Sequence, residues 1–314
     1  MGELRNSILE AIGRTPLVRL SRVTDGLAAE VYVKCEFMNP GGSVKDRIGR
    51  ELIEDAERRG LLPPGGTLVE ATSGNTGVGL AIAAALKGYR AIFVLPDKVS
   101  EEKIRTLRAF GAQVVTTPTA VAPEDPRSYY CVSRRIAEET PGAFYVNQYH
   151  NPANPLAHYK TTGPEIWEQT DGALSALIAG MGTGGTISGC GRFLKEQDPA
   201  VRVIGVDPDG SLYHDYIKYG RVGEARPYRI EGIGEDFFPS TMDFSVVDDV
   251  VRVFDRTGRE VVKVERTFQH VISENHPDEI SGTTIDAVRF AHDGKSVILS
   301  LASGEELVVP ISAN

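Results

Sequence analysis

Between Thr67 and Gln148 the chain alternates short apolar runs with longer segments in which apolar residues recur at helical spacing. The short runs predict β-strands, and the longer segments predict helices that cover them. This alternation is typical of parallel β-α-β units with right-handed connections. The predicted strands are Thr67–Val69, Ala91–Leu95, Gln113–Thr116 and Ala143–Val146, and the predicted helices are Gly79–Lys87, Ser100–Phe110 and Ser128–Glu139. We therefore expect an α/β protein with open, mostly parallel sheets flanked by helices.

The ends of the chain show other patterns. Ile8–Ile12 predicts a short helix, and Val31–Cys35 predicts a strand that leads through a turn into a helix over Ile48–Arg59. Near the other end, Arg259–Phe268 alternates like a strand. Two further runs, Ser296–Leu301 and Glu306–Ile311, predict a β-hairpin.

Composition and charge narrow the class of protein. The chain has 314 residues, of which 41% are hydrophobic and 25% charged, enough for a globular protein of two lobes. A net charge of −9 argues against nucleic acid or an anionic membrane as partner. No apolar run has the length of a membrane span. Cys35, Cys131 and Cys190 are scattered and odd in number, which favours reduced thiols in a cytoplasmic protein.

The turn Asn39–Arg47 carries the first candidate for chemistry. It joins the strand before it to the helix after it, its two glycines allow a tight bend, and Ser43 is the expected N-cap of the helix. Lys45 would then project from the first helical turn. Most lysines are solvated surface charges, but a partly desolvated lysine near a helix N-terminus can condense with an aldehyde. Both interpretations of Lys45 stay open on spacing alone.

Two more glycine-rich turns follow predicted strands. Glu70–Gly79 opens a helix of small residues, and Met181–Gly189, which follows the predicted strand Ala176–Ala179, opens a helix through Leu194. Either turn could be a simple tight connection. Such turns also present free backbone N–H groups to anions. Together with Lys45 they suit pyridoxal phosphate, because the cofactor needs a phosphate loop and an amine, and its substrate needs a carboxylate loop.

These motifs resemble a known family. Gly42–Arg47, Thr72–Gly77 and Gly182–Thr186 are similar to the lysine, substrate-carboxylate and phosphate motifs of the fold-type II, tryptophan-synthase-like pyridoxal-phosphate enzymes. Within that family the chain resembles the branch of cystathionine β-synthases and cysteine synthases. Gln148–Tyr159 and Glu231–Phe237 look more like cystathionine β-synthases than plain cysteine synthases. The resemblance runs from about Ser7 to about Asp255.

The resemblance implies a role for each motif. Lys45 would hold the cofactor aldehyde and later remove the α-proton of the substrate, and Asn75 would sit near the phenolic oxygen of the cofactor. The phosphate would lie in a cradle of backbone N–H groups and two hydroxyls, formed by Gly182, Thr183, Gly184, Gly185 and Thr186. The substrate would be bound by Thr72, Ser73, Gly74, Thr76, Gln148 and Gly232.

The loop Glu231–Phe237 carries the main clue about a second substrate. Two glycines separated by one residue suit a close approach to a ligand, and Glu231, Glu235 and Asp236 would make the loop acidic. An acidic loop could meet the amino group of homocysteine. A solvated acidic turn is the alternative. We expect no metal site, since His150 and His158 lack helical ligand spacing.

The C-terminal segment departs from the family pattern. The family has a glycine-rich serine turn that faces the pyridine nitrogen, and only Glu279–Ala291 resembles it here, with Ser281 or Thr283 as the possible substitute. A helix-strand finish like that of the family and a β-rich finish with the hairpin are both open.

The sequence thus predicts a two-lobed, tryptophan-synthase-like, fold-type II enzyme. Residues 1–48 and 152–255 would form the large cofactor-binding lobe, 49–151 a small mobile lobe, and 256–314 a divergent segment that completes the large lobe. By resemblance it is a cytoplasmic homodimer that joins L-serine, or O-acetylserine, to a thiol.

The expected thiol is homocysteine, giving cystathionine. The alternatives are a cysteine synthase that uses sulfide, and a pseudoenzyme with a binding or regulatory role.

Overall fold

The computed structural model describes most of the chain up to Val253 and only strand backbone beyond it. The described residues are 4–22, 24–25, 27, 29–72, 74–119, 121–122, 124–228, 230 and 232–253, followed by the backbone of 262–263, 285–290, 296–301 and 306–310. Ser73, Glu231, Ser281 and Thr283 lie outside the described residues.

The predicted β-α-β region forms a four-stranded parallel sheet in the order β5-β4-β3-β6. Its strands are β3 (Thr67–Ala71), β4 (Arg90–Pro96), β5 (Gln113–Thr117) and β6 (Ala143–Tyr145). Its helices are α2 (Asn75–Lys87), α3 (Glu101–Ala109) and α4 (Tyr129–Glu139). All of the strands and helices predicted in this region are confirmed, with small differences at their ends. Every residue of β3 is buried, which explains its continuous apolar pattern.

Helix α1 (Lys45–Arg58) packs against α2. Its buried apolar residues Ile48, Leu52, Ile53 and Ala56 lie on one face and join the core of the smaller sheet. A Cβ added to Gly49 would lie 2.4 Å from the carbonyl carbon of Gly79, so the two helix backbones touch. This contact brings the start of α1 close to the start of α2.

The N-cap prediction for α1 was wrong. The helix begins at Lys45, and its N-cap is Val44, which makes no side-chain capping bond. The Ser43 hydroxyl instead accepts a hydrogen bond from the Lys45 N–H at 3.2 Å. Ser43 thus stabilises the first turn of α1 from the position immediately before the N-cap.

The second large sheet has seven strands in the order β13-β12-β11-β10-β9-β8-β7. Strands β7 (Ala176–Gly180), β8 (Arg202–Pro208) and β9 (Asp249–Val253) are parallel. Helices α7 (Gly185–Gln197) and α8 (Tyr213–Tyr219) pack against them, and α5 (Ala153–Lys160) and α6 (Thr162–Gln169) pack against α7. The strand and helix predicted on either side of Met181–Gly189 are confirmed as β7 and α7.

The described residues beyond Val253 are all in antiparallel strands. These strands are β10 (Val262–Lys263), β11 (Ile285–Phe290), β12 (Ser296–Leu301) and β13 (Glu306–Pro310). The predicted hairpin is confirmed as β12 and β13. The alternative prediction, a C-terminal segment that ends in a helix and a strand, was wrong for these residues, because they form strands that extend the larger sheet.

The N-terminal part forms a small appendage. A 3₁₀ turn over Ile8–Ala11 takes the place of the predicted short helix, and β1 (Leu17–Arg19) pairs antiparallel with β2 (Tyr32–Lys34). Cys35 and Cys190 are buried free thiols, whereas Cys131 is half-buried. Across the part of the chain that the structure describes, no helix is long and apolar enough to cross a membrane.

Candidate functional site

Lys45 lies at the corner predicted from its sequence, on the first residue of α1. Its side chain lies in a poorly solvated environment, and burial lowers the pKa of its amine, while the nearby Glu235 carboxyl opposes the shift. A lysine in this state is more easily deprotonated than a solvated one. The surface-charge interpretation of Lys45 therefore does not describe its environment.

A buried ion network fixes the start of α1. The Arg47 guanidinium donates to Glu36 at 2.7 Å and to Glu165 at 2.7 Å, and its side chain is only 1% exposed. Lys34 adds a second bond to Glu165 at 2.7 Å. Burial opposes ionisation of Glu165, but hydrogen bonds from Arg47 and Lys34 bring its pKa down to about 2. The network ties α1 to β2 and α6, two residues away from Lys45.

The predicted carboxylate loop forms the N-terminus of α2. The Thr72 hydroxyl accepts hydrogen bonds from the N–H groups of Gly74 at 3.1 Å and Gly77 at 3.3 Å. Gly74, the N-cap, has φ +145°, and α2 has no side-chain cap. Thr72 therefore occupies the Gly77 N–H, and the N–H groups of Asn75 and Thr76 are the remaining ones of the first turn that suit an anion.

Thr76 and Gln148 meet beside this loop. The Thr76 hydroxyl donates to Gln148 Oε1 at 2.7 Å, and Gln148 Nε2 donates to the Ala71 carbonyl at 3.1 Å. These two residues are 72 positions apart in the sequence, so only the fold brings them together.

Glu70 holds the backbone at Gln148 by hydrogen bonds. None of the sequence motifs predicted a role for Glu70. Its carboxyl is fully buried and accepts the backbone N–H of Asn147 at 2.7 Å and of Gln148 at 3.2 Å. Asn147 has φ +54°, a left-handed conformation that is uncommon for a residue other than glycine. Burial raises the pKa of Glu70 to about 8.

The predicted phosphate loop forms the N-terminus of α7. Gly184 is the N-cap with φ +81°, and no side chain caps the helix. A Cβ on Gly184 would lie 2.7 Å from Met242, and a Cβ on Gly185 would lie 1.9 Å from Asn154 Oδ1. Glycine is needed at both positions because a Cβ would clash, and the Gly185 N–H makes a long hydrogen bond of 3.4 Å to the Thr183 hydroxyl.

Two residues outside the predicted site support this loop. Asn154 Nδ2 donates to the Thr183 hydroxyl at 3.0 Å and to the Gln148 carbonyl at 2.9 Å, so it links the phosphate loop to the carboxylate loop. His158 is buried, with Nε2 3.2 Å from the Thr186 hydroxyl and Nδ1 2.9 Å from Thr162. Both residues lie in the family-like stretch Gln148–Tyr159, which was the only sequence signal for them.

His158 is neutral in this position. Burial holds its pKa well below the usual value, and the charge of Lys45 lowers it further. One ring nitrogen must then accept a hydrogen bond while the other donates one. Both ring nitrogens of His158 have hydrogen-bond partners, Thr162 and Thr186. Among the described side chains, no group of three or more His, Cys, Asp or Glu residues is arranged to hold a metal ion.

The loop after α8 forms the remaining wall. Gly232 and Gly234 have φ +86° and +84°, and the Gly234 N–H donates to the Met181 carbonyl at 2.6 Å. A Cβ on Gly182 would lie 2.7 Å from the Gly232 carbonyl oxygen, so the two loops touch. Gly232 therefore lies directly against the phosphate loop, and its predicted role in substrate binding stays a prediction.

Glu235 projects from this wall near Lys45. Burial raises the pKa of Glu235 to about 8; Asp236 and Asp207 add to the rise, and Lys45 opposes it. Three aromatic rings pack beside the loop: Phe237 lies 5.2 Å from Tyr149 and 5.6 Å from Tyr130, between ring centroids. Phe237 thus holds the loop against α4 and the segment before α5, while Gly232 and Asp236 are exposed and Glu235 is half-buried.

The described residues fit pyridoxal phosphate. Two helix N-termini without side-chain caps suit two anionic groups, and glycines leave room where a Cβ would clash. Lys45 supplies an amine of lowered pKa between them. Asn75 is the first residue of α2, the helix that packs against α1. Ser73 and Ser281, which complete the predicted site, lie outside the described residues.

Comparison with known proteins agrees with this fit. A family model described as pyridoxal-phosphate dependent enzyme matches residues 8–270. A cystathionine β-synthase of Apis mellifera is 49% identical over 250 residues, which cover 79% of this chain and 49% of that protein. A cysteine synthase of Staphylococcus aureus is 39% identical over 302 residues, which cover 96% of this chain and 94% of that protein.

A solved structure shares the fold. The O-acetylserine-dependent cystathionine β-synthase from Helicobacter pylori superposes with a TM-score of 0.73 and 38% identity, over 81% of this chain and 80% of that one. The chain spans about half the length of the cystathionine β-synthases it matches, and nearly the full length of the bacterial cysteine synthase.

Proposed function

Because this chain belongs to the family of pyridoxal-phosphate-dependent enzymes, we propose that it catalyses β-replacement on L-serine or O-acetylserine with a thiol. The thiol we propose is homocysteine, and the product is cystathionine. The observation that carries the proposal is that Lys45 and Glu235 interact electrostatically beside the glycine-rich starts of α2 and α7.

The cofactor would be held by Lys45, Asn75 and the loop Gly182–Thr186. Backbone N–H groups at the start of α7 and the hydroxyls of Thr183 and Thr186 would bind the phosphate. When bound, the cofactor ring supplies an electron sink for the negative charge that forms at the substrate α-carbon. Ser281 is proposed as the group facing the pyridine nitrogen.

The amino-acid substrate would be oriented by the start of α2. Its carboxylate suits the N–H groups behind Gly74 and the hydroxyls of Thr72, Ser73 and Thr76, with Gln148 beside them. This places the α-carbon near Lys45, whose amine can take the α-proton because burial lowers its pKa. Gly232 would line the side from which the second substrate enters.

Cysteine synthase activity, with O-acetylserine and sulfide, is the second candidate. The relative from Staphylococcus aureus that carries this name is matched over nearly its full length. The acidic loop with Glu235 favours an amino-acid thiol over sulfide, which has no group for a carboxyl to bind.

We also propose that the protein is a cytoplasmic homodimer with the lobe division given by the sequence. Val18 and Val33 pair across β1 and β2, and both are exposed, at 47% and 40%. Phe37 and Met38 follow, exposed at 68% and 58%. An apolar surface of this kind suits a second copy of the chain, and sedimentation at micromolar concentration would test it.

The function is tested by the visible absorption spectrum of the purified protein. A yellow protein whose band shifts on L-serine or O-acetylserine and returns on homocysteine supports the proposal. A return on sulfide but not on homocysteine would favour the cysteine synthase. A protein that stays colourless after incubation with pyridoxal phosphate would contradict the proposed function.

A further inference from the structure

Glu235 is held in place by its backbone, which leaves its side chain free to face the cleft. Its N–H donates to the Ser211 hydroxyl at 3.0 Å, and its carbonyl accepts from the Leu212 N–H at 3.1 Å. The preceding Gly234 is bonded to Met181 at the end of β7. The position of this residue is therefore set by β7 and by the start of α8.

The Glu235 carboxyl has no hydrogen bond or ion pair to any described side chain. This distinguishes it from the other glutamates near the cleft, since Glu36 and Glu165 are both paired with Arg47. Glu235 is half-buried, so its unpaired carboxyl loses part of its hydration without gaining a partner in exchange. An unpaired carboxyl in a substrate cleft is suited to bind a cationic group brought by a ligand.

The charges around Glu235 favour a cation. Asp207 and Asp236 both raise the pKa of Glu235, whereas Lys45 is the only group among its named influences that lowers it. Asp207 is itself fully buried, and its Oδ1 atom has no hydrogen-bond partner. Two carboxyls and a single lysine around Glu235 leave this side of the site with an excess of negative charge, which favours a ligand that brings a positive charge.

The walls around Glu235 are aromatic and poorly solvated. Five tyrosines lie close enough for its charge to raise their pKa values: Tyr129, Tyr130, Tyr149, Tyr213 and Tyr228. Tyr213 also donates to the Gly182 carbonyl at 2.6 Å, so this wall adjoins the phosphate loop. A charge pair formed in such surroundings is stronger than one formed in water.

From these contacts we propose that Glu235 selects the second substrate by binding its ammonium group. The inference rests on the proposed function and names its substrate class: a thiol that carries a protonated amine, rather than a thiol without one or hydrosulfide. Hydrosulfide has no ammonium group, so it gains no binding energy from the Glu235 carboxyl. The carboxylate loop at α2 serves the first substrate, so the two substrates use different walls of the cleft.

The test compares two thiols of equal length on the loaded enzyme. Homocysteine and 4-mercaptobutyrate differ only in the amino group, so their thiol chemistry is nearly matched. We expect wild-type kcat/KM to favour homocysteine by roughly 10- to 100-fold, the range of a hydrogen bond to a charged group. Glu235→Gln should bring this ratio to within about threefold, mainly through the KM for homocysteine, and Glu235→Asp should restore part of it.

Control measurements distinguish a failure of the Glu235 proposal from a failure of the proposed β-replacement activity. Glu224→Gln removes the same charge from an exposed position and should leave the ratio unchanged. The spectral change on L-serine or O-acetylserine should still occur in Glu235→Gln, because that variant keeps Lys45 and the glycine-rich starts of α2 and α7. If that change occurs and Glu235→Gln keeps the wild-type ratio, the inference is overturned and the function stands. If wild type shows no change with either amino acid, both are overturned.

Discussion

The carboxyl of Glu70 accepts the backbone N–H of Gln148 at 3.2 Å, across 78 positions of sequence. Glu70 is the fourth residue of β3, which ends at Ala71 just before the carboxylate loop. Its second oxygen holds Asn147 in a left-handed conformation. The position of Gln148 beside Thr76 thus depends on a residue that contacts neither the cofactor nor the substrate in the proposed site.

Glu70→Gln is expected to disturb this arrangement. Glutamine has one acceptor oxygen, so one of the two backbone N–H groups would face an NH₂ donor instead. A buried donor left unpaired costs about 1–3 kcal/mol of stability. We expect the KM for the amino-acid substrate to rise about tenfold with a smaller change in kcat, measured by steady-state kinetics.

The control for Glu70 is Glu101→Gln, at an exposed position of α3. It should leave both stability and KM near wild type. An unchanged KM in Glu70→Gln would show that Gln148 is positioned without Glu70.

Glu70 should also make stability depend on pH. Burial raises its pKa from 4.5 to about 8 in the folded protein, so between these values the folded state holds a proton that the unfolded state has lost. The contribution of Glu70 to the free energy of unfolding is complete below pH 4.5 and falls by at most about 1.4 kcal/mol per pH unit up to pH 8.

Urea unfolding of wild type and Glu70→Gln at several pH values measures this contribution. The stability of wild type relative to the variant should fall between pH 5 and 8, because glutamine does not titrate. If the difference in unfolding free energy between wild type and variant stays constant from pH 5 to 8, burial does not raise the pKa of Glu70 in the folded protein.

His158 should matter for cofactor affinity through Thr186. In His158→Phe the ring volume is kept, but the hydroxyls of Thr186 and Thr162 lose their partner. The loss of one hydrogen bond of about 1 kcal/mol should weaken pyridoxal phosphate binding about fivefold. Fluorescence titration of the apoprotein with pyridoxal phosphate measures the change.

His150→Phe provides the matched control, since His150 is exposed and contacts Ser240 rather than the phosphate loop. Its cofactor affinity should equal that of wild type. Equal losses in both variants would contradict a specific role for His158.

Arg47 is expected to be the most sensitive position of the ion network. Arg47→Met leaves Glu36 and Glu165 without their main partner in a buried site, and such losses cost about 3–5 kcal/mol. Arg192→Met removes an exposed partner of Glu196 and should cost less than about 1 kcal/mol. Thermal unfolding followed by circular dichroism compares the two; similar costs would mean that the buried network contributes little.

The sequence alone determined the local units of this protein. Apolar runs and helical spacing placed the strands and helices of the smaller sheet, because these patterns record which face of each element is buried. Glycine-rich turns after strands predicted the helix starts at Gly74 and Gly184, for which we propose anion binding. Lys45 was identified in the same way, from a turn and the helix that follows it.

Only the tertiary structure decided which groups meet. The hydrogen bonds of Glu70 to Gln148, Asn154 to Thr183 and His158 to Thr186 join residues that have no periodic or local relation in the sequence. The N-cap of α1 was also predicted one position too early, at Ser43 instead of Val44, because capping depends on backbone angles that the residue type does not fix. Side-chain contacts and pKa values depend on what packs around a group, so Glu235 facing Lys45 could be known only after folding.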